Sequence, residues 1–118
     1  MRSPLDLEPR IRLVLIGDEL LDGHTQDTNS QHLREALLTL GLSFHDQRMV
    51  RDSESAVHAE VVDLFQTGAP DLVISTGGLG PTVDDRTREI LARAFGDTLE
   101  LDDLRWAQLE ARLLRQKR

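Results

Sequence analysis

Along the chain, short runs of consecutive apolar residues alternate with longer segments in which apolar residues recur at helical spacing. Residues 12–16 and 72–74 are dominated by branched apolar side chains. These runs are too short for helices and predict strands buried on both faces. Residues 42–50 alternate only in part, which predicts a strand near an edge of a sheet.

Helical spacing of buried positions predicts four helices. Their stripes are Leu33, Ala36, Leu37 and Leu40; Val57, Val61, Leu64 and Phe65; Thr87, Ile90, Leu91 and Ala94; and Leu104, Ala107, Ala111 and Leu114. The third helix is expected to start at Asp84 and Asp85. Trp106, Leu109 and Leu113 widen the apolar face of the last helix, which favours packing against a further surface such as another copy of the chain.

The predicted order is strand, helix, strand, helix, strand, helix, then a short extended piece at residues 98–101 and a final helix. This order predicts an α/β fold with a mostly parallel sheet, helices on both faces and right-handed crossovers. Residues 1–10 contain two prolines and mixed charge and are expected to form a flexible leader. Residues 11–118 then form one domain.

Ligands of parallel sheets bind beyond the carboxyl ends of the strands. Three predicted loops, residues 17–29, 50–53 and 76–85, therefore meet at one rim. The last of them begins with Thr76-Gly77-Gly78-Leu79-Gly80, where glycines allow backbone N–H groups to approach an anion. The alternative is that these glycines serve turn geometry alone.

Five carboxylates fall on the same predicted rim: Asp18, Glu19, Asp52, Asp84 and Asp85. Carboxylates brought close together either share protons or hold a hard cation such as Mg²⁺. Structural roles are the alternative, because acids commonly cap helices and occupy turns. The four histidines are scattered and form no ligand pair at i, i+4.

Composition narrows the classes of function. The 118 residues carry a formal charge of −7, which argues against a general nucleic-acid binder. The chain has no cysteine, so disulfides and thiolate chemistry are excluded. No segment approaches the apolar length that a bilayer requires, and the expected location is the cytoplasm, with no membrane partner.

Three blocks of sequence together resemble a known family. Residues 16–23 (IGDELLDG), 27–30 (DTNS) and 75–87 (STGGLGPTVDDRT) are similar to the amino-terminal domain of the CinA (competence/damage-inducible) proteins. That domain belongs to the MoaB/Mog molybdopterin-binding family, which also occurs in MoeA and gephyrin-type proteins. The resemblance implies a three-layer α/β/α domain that is often a homo-oligomer.

The resemblance also implies a function and a set of site residues. For the CinA-like branch it implies a nucleotide pyrophosphatase that acts on ADP-ribose-like substrates with a divalent metal. The alternative is a non-catalytic molybdopterin or nucleotide module of the molybdenum cofactor biosynthesis type. The catalytic candidates are Asp85 and Asp52, which with Asp84 are also the metal candidates. The ligand-binding candidates are Gly17, Asp18, Glu19, Asn29, Thr76, Gly77, Gly78, Leu79, Gly80 and Thr82.

One departure from the family pattern affects the expected fold. CinA proteins continue into further strands of this domain and often into a deamidase domain, whereas this sequence stops at Arg118. We therefore expect an incomplete sheet and a ligand pocket that lacks part of its wall.

Overall fold

The computed structural model describes residues 8–23, 27–64, 66, 68–80 and 86–117. Its strands are β1 (Ile11–Ile16), β2 (Asp46–Val50) and β3 (Leu72–Thr76). Its helices are α1 (Asp18–Leu21), α2 (Asn29–Thr39), α3 (Glu54–Asp63), α4 (Thr87–Ala94) and α5 (Asp103–Gln116). The expected starts of the third helix, Asp84 and Asp85, lie outside the described residues, as do Phe65 and residues 1–7.

The three strands form a parallel sheet in the order β2-β1-β3. The predicted α/β class with a parallel sheet is confirmed. The central strand β1 is buried along its whole length, because both of its edges are paired and both of its faces are covered. This explains why its sequence is a nearly continuous run of branched apolar residues.

The hydrophobic core lies on the face of the sheet that carries α3 and α4. Val14 and Ile16 of β1 and Val50 of β2 pack there against Val57 of α3 and Ile90 of α4. Residues 11, 13 and 15 of β1 point to the opposite face, where they are also buried. A hydrogen bond from Arg34 of α2 to Gln47 places α2 on that second face, so helices cover both sides as expected.

The prediction that the third strand is buried on both faces is wrong. Leu72 is 51% exposed, and Val73 and Ile74 are half-buried. The reason is position: β3 pairs with β1 on one side, and no described strand pairs with its other side. The predicted edge position of β2 is confirmed, although β2 starts at Asp46 and not at residue 42.

Local capping explains several helix starts. The Ser53 side chain accepts a hydrogen bond from Ala56 N at 3.3 Å, and the Asp102 side chain accepts one from Arg105 N at 3.0 Å. At α2 the N-cap Thr28 makes no such bond. Instead Asp27 accepts from the N–H of Ser30 at 3.1 Å and also from the Ser30 hydroxyl.

A buried arginine joins β1 to its neighbours at the end of the sheet opposite the glycine loop. Arg12 is 5% exposed and forms ion pairs with Asp46, Glu60 and Asp63 at 3.0, 3.2 and 2.8 Å. Burial alone would lower the pKa of Arg12, but the hydrogen bonds to Asp46 and Asp63 and the negative charges of Asp46 and Glu60 together leave that pKa raised. The same arginine, through its hydrogen bond, lowers the pKa of Asp63.

The final helix stands apart from the rest of the domain. Every residue from Asp103 to Lys117 is exposed, and the expected extended piece at residues 98–101 has no regular secondary structure. The radius of gyration is 17.1 Å, against about 13–14 Å for a compact domain of this length. Within the described residues, no helix is long and apolar enough to cross a membrane.

Candidate functional site

The turns after β1 and β2 are tied together at the carboxyl rim of the sheet. Gly17 N donates to the carbonyl of Val50 at 3.0 Å, and Asp52 N donates to Asp18 Oδ1 at 3.0 Å. These two bonds bring Asp18 and Asp52 side by side, although the residues are 34 positions apart in the sequence. The expectation that these loops share one rim therefore holds for the described residues.

The glycine loop after β3 lies against the same rim. Gly77 has a φ of 98°, and a side chain there would overlap the carbonyl oxygen of Ile16. Gly78 has a φ of 66°, and a side chain there would overlap the hydroxyl of Thr87. Glycine is therefore required at both positions by backbone conformation and by space.

Thr87 connects the glycine loop to α4. Its N–H donates to the carbonyl of Gly78 at 3.3 Å, and its side chain is almost completely buried. Among the described residues, its Oγ1 has no hydrogen-bond partner. The helical spacing predicts Thr87 on a buried stripe but gives no indication of this contact with the loop.

Two cavities open at the rim. The larger, of about 420 Å³, is mainly polar and is lined by Asp18, Glu19, Asp52, Ser53, Glu54, Arg86 and Ile90. The smaller, of about 180 Å³, is lined by Ile16, Glu19, Leu20, Asp27, Thr28, Asn29, Thr76 and Gly77. Glu19 lines both, so the two cavities are neighbours around one side chain.

The structure places most of the candidate site residues at this rim. Asp18, Glu19 and Asp52 line the larger cavity, and Asn29, Thr76 and Gly77 line the smaller one. Gly17 forms the turn between them, while Gly78, Leu79 and Gly80 continue the loop without lining either cavity. Leu79 is 57% exposed. Thr82, Asp84 and Asp85 lie outside the described residues, so their predicted roles stay predictions.

Sequence reasoning missed several residues of the larger cavity, notably Arg86, Ser53 and Glu54. Arg86 is the one basic residue that lines this cavity among the described residues. Its Nε lies 3.6 Å from Oε2 of Glu89. A cation at the start of α4, beside the glycine loop, was the available signal. The acids that precede it in the sequence point instead to a cation site.

The carboxylates are of the right chemical type for a hard cation, but the described residues do not assemble a metal site by themselves. No group of three His, Asp or Glu side chains in the described ranges has the arrangement of a metal centre. Asp18 already accepts a hydrogen bond from Asp52 N, and its Oδ1 lies 3.8 Å from Nη1 of Arg51. The same Nη1 forms an ion pair with Asp22 Oδ1 at 3.0 Å.

Taken together, the fold and the site define an α/β domain with a glycine loop and acidic turns at the carboxyl rim of a parallel sheet. Residues 12–116 match the family described as "Probable molybdopterin binding domain". The chain belongs to this family.

Two further comparisons place the chain near the CinA proteins. It is 39% identical over 99 residues to a "CinA-like protein" of Syntrophotalea carbinolica, covering 84% of this chain and 24% of that protein. The crystal structure of a CinA protein of unknown function from Thermoplasma acidophilum aligns with a TM-score of 0.69 and 33% identity. That alignment covers 81% of this chain and 56% of the other.

A more distant neighbour shows the same fold. The crystal structure of the molybdopterin biosynthesis enzyme MoaB from Thermus thermophilus aligns with a TM-score of 0.65 at 24% identity, covering 72% of this chain and 54% of that one. The chain also spans only 22 to 36% of the length of several curated relatives that it matches. The similarity to CinA-like proteins thus concerns one domain of those longer proteins.

Proposed function

We propose that the carboxyl rim binds a small molecule that carries a phosphate or pyrophosphate group, of the molybdopterin or nucleotide class. The observation that supports this most strongly is the convergence of the glycine loop with the turns after β1 and β2 around two adjoining cavities. The description of the matching family as molybdopterin-binding supports the same ligand class.

Different groups at the rim suit different parts of such a ligand. Gly77 and Gly78 let the loop fold closely against Ile16 and Thr87, and the backbone of Gly77 thereby forms part of the wall of the smaller cavity. Arg86 supplies a positive charge to the larger cavity, and the start of α4 adds the positive end of its helix dipole. The carboxylates Asp18 and Glu19 are placed to accept hydrogen bonds from the N–H and O–H groups of a pterin, a base or a ribose.

Titration calorimetry tests this proposal with ADP-ribose, inorganic pyrophosphate and a phosphorylated pterin as separate probes. At least one probe is expected to bind and to raise the melting temperature, since a ligand that binds only the folded state stabilises it. If none of the three binds to the wild-type chain at millimolar concentration, the proposal is wrong.

A pair of glycine variants locates the binding site. Gly78→Ala adds a methyl group where the Thr87 hydroxyl lies, so the loop must shift, and we expect affinity to fall about tenfold or more, equivalent to about 1.4 kcal/mol. Gly96→Ala is the matched control, because Gly96 has a similar φ of 70° but open space around it. Equal affinities of the two variants would place the ligand elsewhere.

A second candidate function is hydrolysis of a nucleotide pyrophosphate with a divalent metal. The observation that favours it is the set of carboxylates, Asp18, Glu19 and Asp52, that line one cavity. Bound Mg²⁺ would supply charge neutralisation and polarisation of a phosphoryl oxygen. We propose Asp52, Asp84 and Asp85 as the residues that would hold the ion.

Release of AMP from ADP-ribose tests the second candidate, with Mg²⁺, Mn²⁺ or Co²⁺ added and then removed with EDTA. Turnover that EDTA abolishes and that Asp85→Ala lowers at least a hundredfold is the expected result, in the range found for removal of one catalytic group. If ADP-ribose binds but no AMP is released, the proposed binding function stands and the proposed hydrolysis is rejected. Full activity in Asp85→Ala rejects the role of that residue.

A further inference from the structure

The start of α4 differs from the starts of α3 and α5. In those two helices the N-cap side chain, Ser53 or Asp102, accepts a hydrogen bond from a backbone N–H of the first turn. The N-cap of α4 is Arg86, whose side chain makes no such bond and carries a positive charge at the positive end of the helix dipole. Glu89 offsets that charge only through an exposed contact of 3.6 Å. An anion bound at this helix start would be favoured by both the backbone and the charge.

Thr87, the first residue of α4, provides an independent observation at the same place. Its side chain is 1% exposed, and its Oγ1 has no hydrogen-bond partner in the part of the chain that the structure describes. Buried side-chain polar atoms nearly always have a partner in folded proteins. The hydroxyl of Thr87 is therefore a donor that the folded chain itself leaves unused.

The glycine loop covers this hydroxyl. Gly78 lies directly over Oγ1 of Thr87, so closely that an added side-chain carbon would overlap it. The backbone hydrogen bond that joins loop and helix here, from Thr87 N to the carbonyl of Gly78, is long at 3.3 Å. Gly77 and Gly78 also have a wider choice of backbone conformations than any other residue would have. The cover over Thr87 is thus weakly held and can change conformation at little cost.

We propose that a phosphoryl group of the ligand moves the glycine loop off Thr87 and accepts a hydrogen bond from the uncovered hydroxyl. This inference rests on the proposed binding of a phosphorylated small molecule at the rim, and it adds a donor and a loop movement to that proposal. The Oγ1 atom gains the partner that it lacks, and the N–H of Thr87, released from Gly78, faces the same anion. Arg86, the preceding residue, lines the larger cavity and brings positive charge to the same group.

A purely structural role for Thr87 is the alternative. In that case the buried methyl group packs between the loop and the helix, and the hydroxyl contributes nothing to binding. The two roles differ in one measurable respect. Removal of the hydroxyl weakens ligand binding only if the bound phosphoryl group uses it, whereas removal of the methyl group lowers stability in both cases.

Substitutions at position 87 separate the hydroxyl from the packing of the side chain. Thr87→Val removes the hydroxyl at nearly constant volume, while Thr87→Ser and Thr87→Ala form a second pair that differs only in the hydroxyl. Titration calorimetry with inorganic pyrophosphate and with ADP-ribose measures affinity, and urea denaturation measures stability. In each pair we expect the member without the hydroxyl to bind about tenfold more weakly, as for loss of one hydrogen bond to a charged group. Thr87→Val should be at least as stable as the wild type.

Thr39→Val is the matched control, because the Thr39 hydroxyl donates to the carbonyl of Ala36 at 2.6 Å near the end of α2. Its affinity for both probes should equal that of the wild type. Equal affinities within both pairs at position 87 would overturn the inference, and binding by the wild type would then leave the proposed function standing. If neither probe binds to the wild type, the proposed function and this inference fail together.

A spin label tests the movement of the loop separately. The chain has no cysteine, and Leu79 is 57% exposed, so Leu79→Cys carries a label at the loop, with Gln108→Cys on α5 as the control position. We expect saturating pyrophosphate to change the mobility of the label at position 79 and to leave the label at position 108 unchanged. Bound pyrophosphate without any change at position 79 would rule out the proposed uncovering of Thr87.

Discussion

Thr87 illustrates how a single residue can link a binding loop to a helix. Its burial is almost complete, its side chain lies against Gly78, and its hydroxyl lacks a partner among the described residues. A buried hydroxyl without a partner costs about 1–3 kcal/mol. Sequence alone could place Thr87 on a helix but could not reveal this cost, because the contact depends on how the loop folds back onto α4.

Replacing that hydroxyl with a methyl group separates its structural role from a role in binding. We expect Thr87→Val to leave the free energy of unfolding unchanged or to raise it by about 1 kcal/mol, since an unsatisfied polar atom is removed without loss of volume. Thr87→Ser keeps the hydroxyl but removes a buried methyl and should cost about 1 kcal/mol. Urea denaturation measures both. A loss above 1 kcal/mol in Thr87→Val would mean that the hydroxyl has a partner in the folded protein.

At the scale of elements, the sequence identified the strands and most helix positions but not the surroundings of β3. The apolar runs of β1 and β3 look alike, yet β1 is buried and β3 is only partly buried. A run of branched residues encodes the preference for a strand. It does not encode whether another strand lies on each side, because that depends on distant parts of a chain.

The candidate site, too, was predictable only in part. The meeting of Asp18 with Asp52 followed from the rule that parallel strands end at one rim. The ion-pair cluster around Arg12 did not follow, since a charged residue in an apolar strand gives no indication of which carboxylates surround it. Similarly, the Gly78–Thr87 contact depends on a fold-back that spacing alone does not specify.

Arg12 is expected to be the most sensitive charged residue for the association of β1 with α3. In Arg12→Met, Glu60 and Asp63 lose their ion pairs with Arg12 and keep those with Arg48. A buried pair broken on one side typically costs about 3–5 kcal/mol. We expect a loss near the lower end of that range, because Asp63 is partly exposed. Urea unfolding measures the loss, and Arg105→Met on the exposed helix α5 is the control, with a change below about 0.5 kcal/mol.

The same cluster predicts a dependence of stability on acid. The pKa of Asp63 is lowered, first by its hydrogen bond from Arg12. Its folded pKa thus lies below its unfolded value near 3.8. The stabilisation is therefore fully present above about pH 5 and is lost as the pH falls through the folded pKa.

Comparing the wild type with Asp63→Asn isolates this contribution. The difference in unfolding free energy between the two proteins should be largest near pH 6 and should shrink steadily towards pH 2. Urea denaturation at a series of pH values provides the measurement. A difference that stays constant with pH would show that Asp63 stabilises the fold through something other than its charge.

The whole molecule sets the conditions under which an anionic ligand reaches the rim. The chain carries −7, and the larger cavity contains more carboxylates than basic groups, so the average field repels phosphate. The proposed binding requires that Arg86 and the glycine loop offset this repulsion at short range. Salt screens the long-range repulsion over about 8–10 Å and weakens the short-range attraction less.

If the proposed binding is correct, the association rate of ADP-ribose should rise about twofold between 20 and 150 mM NaCl. This salt dependence is opposite in sign to that of a nucleic-acid binder. Stopped-flow fluorescence measures the rate. Glu19→Gln/Glu54→Gln, which removes two of the repelling charges, should flatten the dependence. A rate that falls with salt in the wild type would mean that attraction at the rim extends further than the net charge of the molecule allows.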